Sequence, residues 1–252
     1  MLLGDVTVNS GGDQILDYGE IGYFYTTFEN VGQDPSGDLT FILSHEGSMV
    51  DIITEEIFHS SVAAGDEVTV GPFELQVSWN VEDGADVPFM VQAIDGAETW
   101  EYNVNMTVEA PAYNLFSAEF YDNGNGTLDP GESTILQLVI QNTGNAPLSY
   151  PTFEATTSDP YLTLGSIESD NAYWWDIDQQ VTITIEITAS SDAPVGHTAL
   201  AGLVIGALDT DYEFVYPVPI TFGLMIEDFE TGNFASFDWV HGGNAVSYTH
   251  LR

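Results

Sequence analysis

A shift of 112 residues lays the chain on itself, and this internal repeat constrains the fold more than any other feature. Leu16-Asp17 falls on Leu128-Asp129 and Gly19-Glu20 on Gly131-Glu132. Asn30, Gly32 and Pro35 fall on Asn142, Gly144 and Pro147, and Val50 and Ile52 on Leu162 and Leu164. After a slip of one residue, Val68-Thr69-Val70 meets Val181-Thr182-Ile183. Between these landmarks both halves carry short alternating or β-branched runs bounded by turn residues. "EIGYFYTTFEN", "DLTFILS", "EVTVGPFELQVSW", "PFMVQAI" and "WEYNVNMTVE" come first. "STILQLVIQN", "YLTLGS", "QVTITIEITAS", "ALAGLVIGAL" and "YEFVYPVPITFG" follow. Period-two alternation at this spacing predicts antiparallel sandwiches, and no segment carries a capped 3.6-residue apolar stripe. "MVDIITEEIFHSSV" is the one stretch with a superficial helical look.

The expected fold class is therefore all-β: two tandem immunoglobulin-like antiparallel sandwiches, residues 1–110 and 111–223, joined at "EAPAYNL". After Gly223 the pattern changes to the Phe-rich "IEDFETGNFASFDWVHGGN", expected to begin a third β domain over 224–244. The closing "AVSYTHLR", 245–252, reads as a non-native tail, and the chain as a piece of a longer protein.

Charge excludes whole classes of function. There are 40 Asp and Glu against a single Lys or Arg, a formal charge of −39. An average chain of this length would carry about 30 basic residues. Nothing is present to displace counterions from a phosphate backbone, so no nucleic-acid partner is expected, and anionic membranes are equally disfavoured. No run of 18 apolar residues predicts membrane insertion. Such acidity fits a secreted or surface protein, a saline habitat, or loops that recruit divalent cations.

Catalysis finds no support. There is no cysteine, the five histidines are scattered, and neither HExxH nor GxSxG occurs. With Arg252 confined to the tail, phosphate clamps and Schiff bases are out of reach. No catalytic residue is assigned.

Two features invite a binding role. "DNGNGTLDPGE" sets Asp122, Asn123, Asn125, Asp129 and Glu132 in a glycine-rich loop, oxygen donors of the kind a hard cation such as Ca²⁺ requires. It departs from an EF-hand loop, and its "DPGE" equally reads as a β-turn. The first copy keeps Asp13, Asp17 and Glu20 but has Ser10 and Gly11 where the second has Asp122 and Asn123, so it is the weaker candidate. "ENVG" and "QNTG" read as turns with Asn and Gly in left-handed geometry. In "YWWD", Trp174 and Trp175 must point to opposite faces of a strand, so one of them is a candidate ligand platform. Trp79 and Trp100 read as strand residues of the core.

The pattern D-x-x-x-G-x-L-D-P-G-E … L-x-L-V-I-x-N-x-G-x-A, with "TSDPYLTLGS" and "SSDAPVGH", resembles the immunoglobulin-like accessory modules of secreted Bacteroidetes surface proteins. Gingipain-like (C25) cysteine peptidases carry such modules. "IEDFETGNFASFDW" is similar to the opening of a cleaved-adhesin or MAM-like jelly roll. The resemblance implies a non-catalytic stalk and adhesion scaffold on a secreted, cell-surface protein, downstream of a peptidase domain whose Cys–His pair has no counterpart here. Its implied partners are neighbouring domains of the same polypeptide and a host or cell-surface protein or glycan. The alternative is a carbohydrate- or protein-binding module.

The shared part of the acidic loops, Leu-Asp-x-Gly-Glu, is read as a turn, and Ca²⁺ as a second role for the second copy. A calcium titration tests that role: binding raises the melting temperature of the chain, and an unchanged melting temperature removes it.

Overall fold

The computed structural model describes residues 1–12, 14–121 and 126–223. Asp13, Asp122, Asn123 and Asn125 lie outside them, as do the expected third domain and tail. Every regular element described is a strand.

In the first half these are β1 (Leu2–Ser10), β2 (Leu16–Asp17), β3 (Ile21–Glu29), β4 (Leu39–His45), β5 (Val50–Ile52), β6 (Glu56–His59), β7 (Glu67–Val77), β8 (Ala85–Asp95) and β9 (Glu98–Glu109). The second half holds β10 (Tyr113–Phe120), β11 (Ser133–Asn142), β12 (Leu148–Ser149), β13 (Pro151–Thr157), β14 (Leu162–Ser169), β15 (Trp174–Trp175), β16 (Gln180–Ala189), β17 (Thr198–Ala207) and β18 (Glu213–Thr221). "MVDIITEEIFHSSV" contributes β5 and β6, both strands.

The strand orders answer the repeat. One sheet runs β1-β3-β7-β5 in the first half and β10-β11-β16-β14 in the second. The facing sheets run β9-β8-β4 and β18-β17-β13, the first extended by β2 and β6 at its edges. These are the A-B-E-D and C-F-G arrangements of an immunoglobulin-type sandwich, present twice. Even the short parallel pairing beside the last strand recurs, as Leu16↔Val108 in one copy and Leu128↔Phe222 in the other.

Alternation explains why the chain chooses these faces. Along β3, Phe24, Thr26 and Phe28 point inward between exposed or half-buried neighbours; β11 does the same with Leu136, Leu138 and Ile140. A slip of one residue would turn every one of these side chains to water, so burial pins the register. A bulge opposite Phe24–Thr26 lets β7 change phase, with Val68 and Val70 buried before it and Phe73, Leu75 and Val77 after it. Pro217 and Pro219 are accommodated because β18 is an edge strand, where a missing N–H costs no ladder bond. Two apolar cores result. Phe24, Phe28, Phe41, Phe73 and Phe89 dominate the first. Trp175 and a layer of Leu, Ile and Val fill the second.

The Asn-x-Gly turns form, but by another device than the one expected. Neither Gly32 nor Gly144 has positive φ. Instead the Asn side chain is buried and brackets the turn. Asn142 Nδ2 donates to Ala146 O at 2.9 Å, and its Oδ1 accepts from Gly144 N at 3.1 Å and Ala112 N at 3.3 Å. Asn30 bonds Asp34 O, Val62 O and Gly32 N in the same manner, at 3.0, 2.9 and 3.0 Å. Gly144 is required for closeness, since a Cβ there would lie 2.3 Å from Ala110 O. Asn142→Ala strands buried backbone groups, and a loss of about 3 kcal/mol in urea unfolding is expected. A change below about 0.5 kcal/mol would contradict this account.

Candidate binding surface at the joint of the two sandwiches

The two Leu-Asp-x-Gly-Glu turns are structural in both copies. Glu20 N donates to Asp17 O at 3.3 Å and Glu132 N to Asp129 O at 3.0 Å, with Gly19 and Gly131 at φ of 70° and 84°. The Glu132 carboxylate folds back to accept from Asp129 N at 2.9 Å, while that of Glu20 accepts from Ser10 Oγ. Of the Ca²⁺ candidates, Asp17, Glu20, Asp129 and Glu132 are thus placed, with both glutamates engaged by their own loops. Among the described residues no group of three or more His, Asp or Glu converges as a metal site.

In the first copy the turn does more. Tyr18, at its apex, crosses to the second sandwich and donates its hydroxyl to Pro147 O at 2.8 Å. Its ring meets Trp79 edge-on at 5.9 Å and Tyr212 at 5.2 Å. Tyr212 Oη donates to Tyr113 Oη at 3.1 Å, and Tyr113 lies 4.8 Å from Trp175, so one aromatic chain runs from the turn into the second core. Trp79 differs from its expected place: it follows β7 in a turn, packs against the second core, and covers Gly19, where a Cβ would sit 2.1 Å from its ring.

Polar bonds close the same joint. Asp83 Oδ1 accepts from Ala110 N at 3.0 Å and Asn145 N at 3.2 Å, and its Oδ2 accepts from Asn145 Nδ2 at 2.9 Å. Asn80 accepts from Glu213 N at 2.9 Å and donates to Asp211 O at 3.2 Å. A carboxylate accepting several N–H bonds is among the stronger neutralising arrangements available without a cation.

The adjacent tryptophans separate as strand geometry requires. Trp175 is 0% exposed, with Nε1 donating to Gln179 O at 2.9 Å, which removes it from any ligand surface. Trp174 is 52% exposed. It lines a groove of about 230 Å³ with Asp17, Tyr18, Glu20, Trp79, Pro147 and Ser149. Exposed Tyr173 and Tyr150 stand beside it, their rings 6.3 Å apart. Asn171 holds the backbone beneath this cluster, donating to Trp174 O at 2.6 Å and accepting from Tyr173 N and Trp174 N at 3.2 and 3.3 Å.

The three described histidines serve local roles. His45 contacts Pro88 O at 2.9 Å and His59 contacts Ser60 O at 2.6 Å. His197 Nε2 meets Asp159 Oδ2 at 2.8 Å, clipping the β13–β14 turn to the start of β17 and holding the Asp159 carboxyl below its usual range. Trp100 lies in β9, half-buried against the first core. No helix among the described residues is long and apolar enough to cross a membrane.

No protein-family model matches the chain, and no curated protein matches it. Among solved structures it is similar to the C-terminal domain of the Streptococcus pyogenes antigen I/II-family protein AspA, at 7% identity and a TM-score of 0.42, covering 86% of this chain and 98% of that one. A structure described as BspA_C_mut gives 8% identity, a TM-score of 0.40 and the same coverages of 86% and 98%. A protein of unknown function from Porphyromonas gingivalis W83 gives 15% identity and a TM-score of 0.25, covering 87% of this chain and 100% of that one. At such identities and TM-scores none of these likenesses transfers a property to this chain.

Burial shapes the chemistry of the joint. It raises the ionisation of Tyr18 and Tyr113 above the ordinary range and pushes Tyr212 up to about 12. Since the unfolded phenols ionise near 10, the stabilisation from these neutral hydroxyls is complete below about pH 10 and lost as pH rises further. Alkaline titration followed by phenolate absorbance is expected to show a late-ionising class that shrinks in a Tyr18→Phe, Tyr212→Phe chain, because two of its members are removed. A single uniform transition near pH 10 would refute it.

Proposed function

We propose that this chain is a non-catalytic stalk and adhesion scaffold of a secreted, cell-surface protein. The observation that carries the reading is the closed joint. Tyr18, Asn80 and Asp83 of the first sandwich reach across to Pro147, Asp211, Glu213 and Asn145 of the second. A spacer must transmit position from one end to the other, and a joint with both aromatic packing and directional bonds restrains the default domain motion. The acidic surface supports an extracellular setting, where high net charge keeps displayed modules from associating. The sequence motifs support placement downstream of a gingipain-like cysteine peptidase domain. The Ca²⁺ role of the Asp122–Glu132 loop belongs to the same proposal, as a stiffener of the second sandwich.

Small-angle scattering of the whole chain tests it. One fixed arrangement of the two sandwiches is expected to fit the profile, and Asp83→Ala is expected to broaden it by releasing three bonds at the joint. A wild-type profile that demands independently moving sandwiches would overturn the reading.

A further inference from the structure

We propose that the groove between Trp174 and the Asp17–Glu20 turn binds an organic cation, and that its occupant is the guanidinium of an arginine side chain on a partner protein. The inference rests on the closed joint of the scaffold reading, because one wall comes from each sandwich.

Three properties of the groove point the same way. Its walls are aromatic: Tyr18, Trp79 and the half-exposed Trp174 line one hollow. Indole is the best ring for a cation, and a planar guanidinium stacks on it. Its rim is anionic, from Asp17 and from Glu20, whose carboxylate also accepts from Ser10 Oγ. Carboxylates accept the fork of N–H donors that a guanidinium offers.

The third property is preorganisation. Asn171 fixes the backbone of Tyr173 and Trp174, and the Trp79 ring is seated over Gly19, so little ordering remains for binding to bring about.

Charge decides between ligand classes. The chain carries −39 and holds one Lys or Arg, Arg252, so it draws cations from outside and scarcely supplies them itself. An anionic ligand meets repulsion. A neutral saccharide gains stacking on Trp174 and hydroxyl bonds to the carboxylates, but no attraction from the surrounding field. At about 230 Å³ the groove is smaller than the roughly 300–1,000 Å³ of drug-sized sites, which suits one side chain end better than an oligosaccharide.

The test titrates the full chain with N-acetyl-arginine amide, its neutral isostere N-acetyl-citrulline amide, and cellotriose, following the indole N–H signals by NMR. Arginine is expected to shift Trp174 and Trp79 and leave buried Trp175 unmoved. Citrulline should bind at least about tenfold more weakly, and arginine binding should weaken as salt screens the rim. Trp174→Ala should lose about three- to tenfold in affinity, as expected for removal of a half-exposed cation–π wall. Equal binding of citrulline, shifts from cellotriose with arginine silent, or arginine binding unchanged in Trp174→Ala would each overturn the proposal. If arginine is silent while scattering shows a fixed joint, this inference fails and the scaffold reading stands. If the joint itself moves, both fall.

Discussion

The amide of Asn142 is the contact on which the rest of the arrangement hangs. One side chain ends β11, fixes the turn to Ala146, and accepts from Ala112 in the segment that enters the second sandwich. Because it is wholly buried, leaving any of its partners unmatched would cost a desolvated polar group, so the turn has one acceptable conformation. That conformation carries Asn145 and Pro147 to the surface where Asp83 and Tyr18 find them. A local constraint inside one module thereby sets the geometry between modules.

The joint shows how a chain almost without basic residues holds two acidic bodies together. Ion pairing is available at only one place among the described residues, His197 with Asp159. Elsewhere among the described residues carboxylates accept from backbone N–H groups, as Asp83 does from Ala110 and Asn145, or from polar side chains, as Glu20 does from Ser10 and Glu101 from Gln92. Aromatic edges supply the apolar part, and the Tyr18–Tyr212–Tyr113 chain does so without stranding a phenol in the interior. Directional bonds to backbone serve here where salt bridges would otherwise be expected.

What was legible in the sequence follows from range. Alternation and turn chemistry are local, so the all-β class, the duplication and the Leu-Asp-x-Gly-Glu turn can be read from residues a few positions apart. The opposed faces of Trp174 and Trp175 follow from strand geometry alone. The bracket made by Asn30 and Asn142 escaped because Asn-x-Gly commonly signals left-handed backbone, and only burial shows the side chain is the working part. Trp79 was misplaced because β7 stops two residues before it. Asp83 gives no local signal at all: "EDG" reads as an ordinary acidic turn, and its partner Asn145 lies 62 residues away.

Duplication copied the sandwich without copying its socket. In the register that superposes the strands, Tyr18 answers to Pro130, Trp79 to Ser191, Asn80 to Asp192 and Asp83 to Val195. The second sandwich therefore lacks, at the matching positions, the side chains with which the first grips it. The joint is a coupling whose gripping side chains the first copy carries and the second copy lacks. Ancestral symmetry survives in the folds, and the contact between them has become directional, with a donor end and a receiving end.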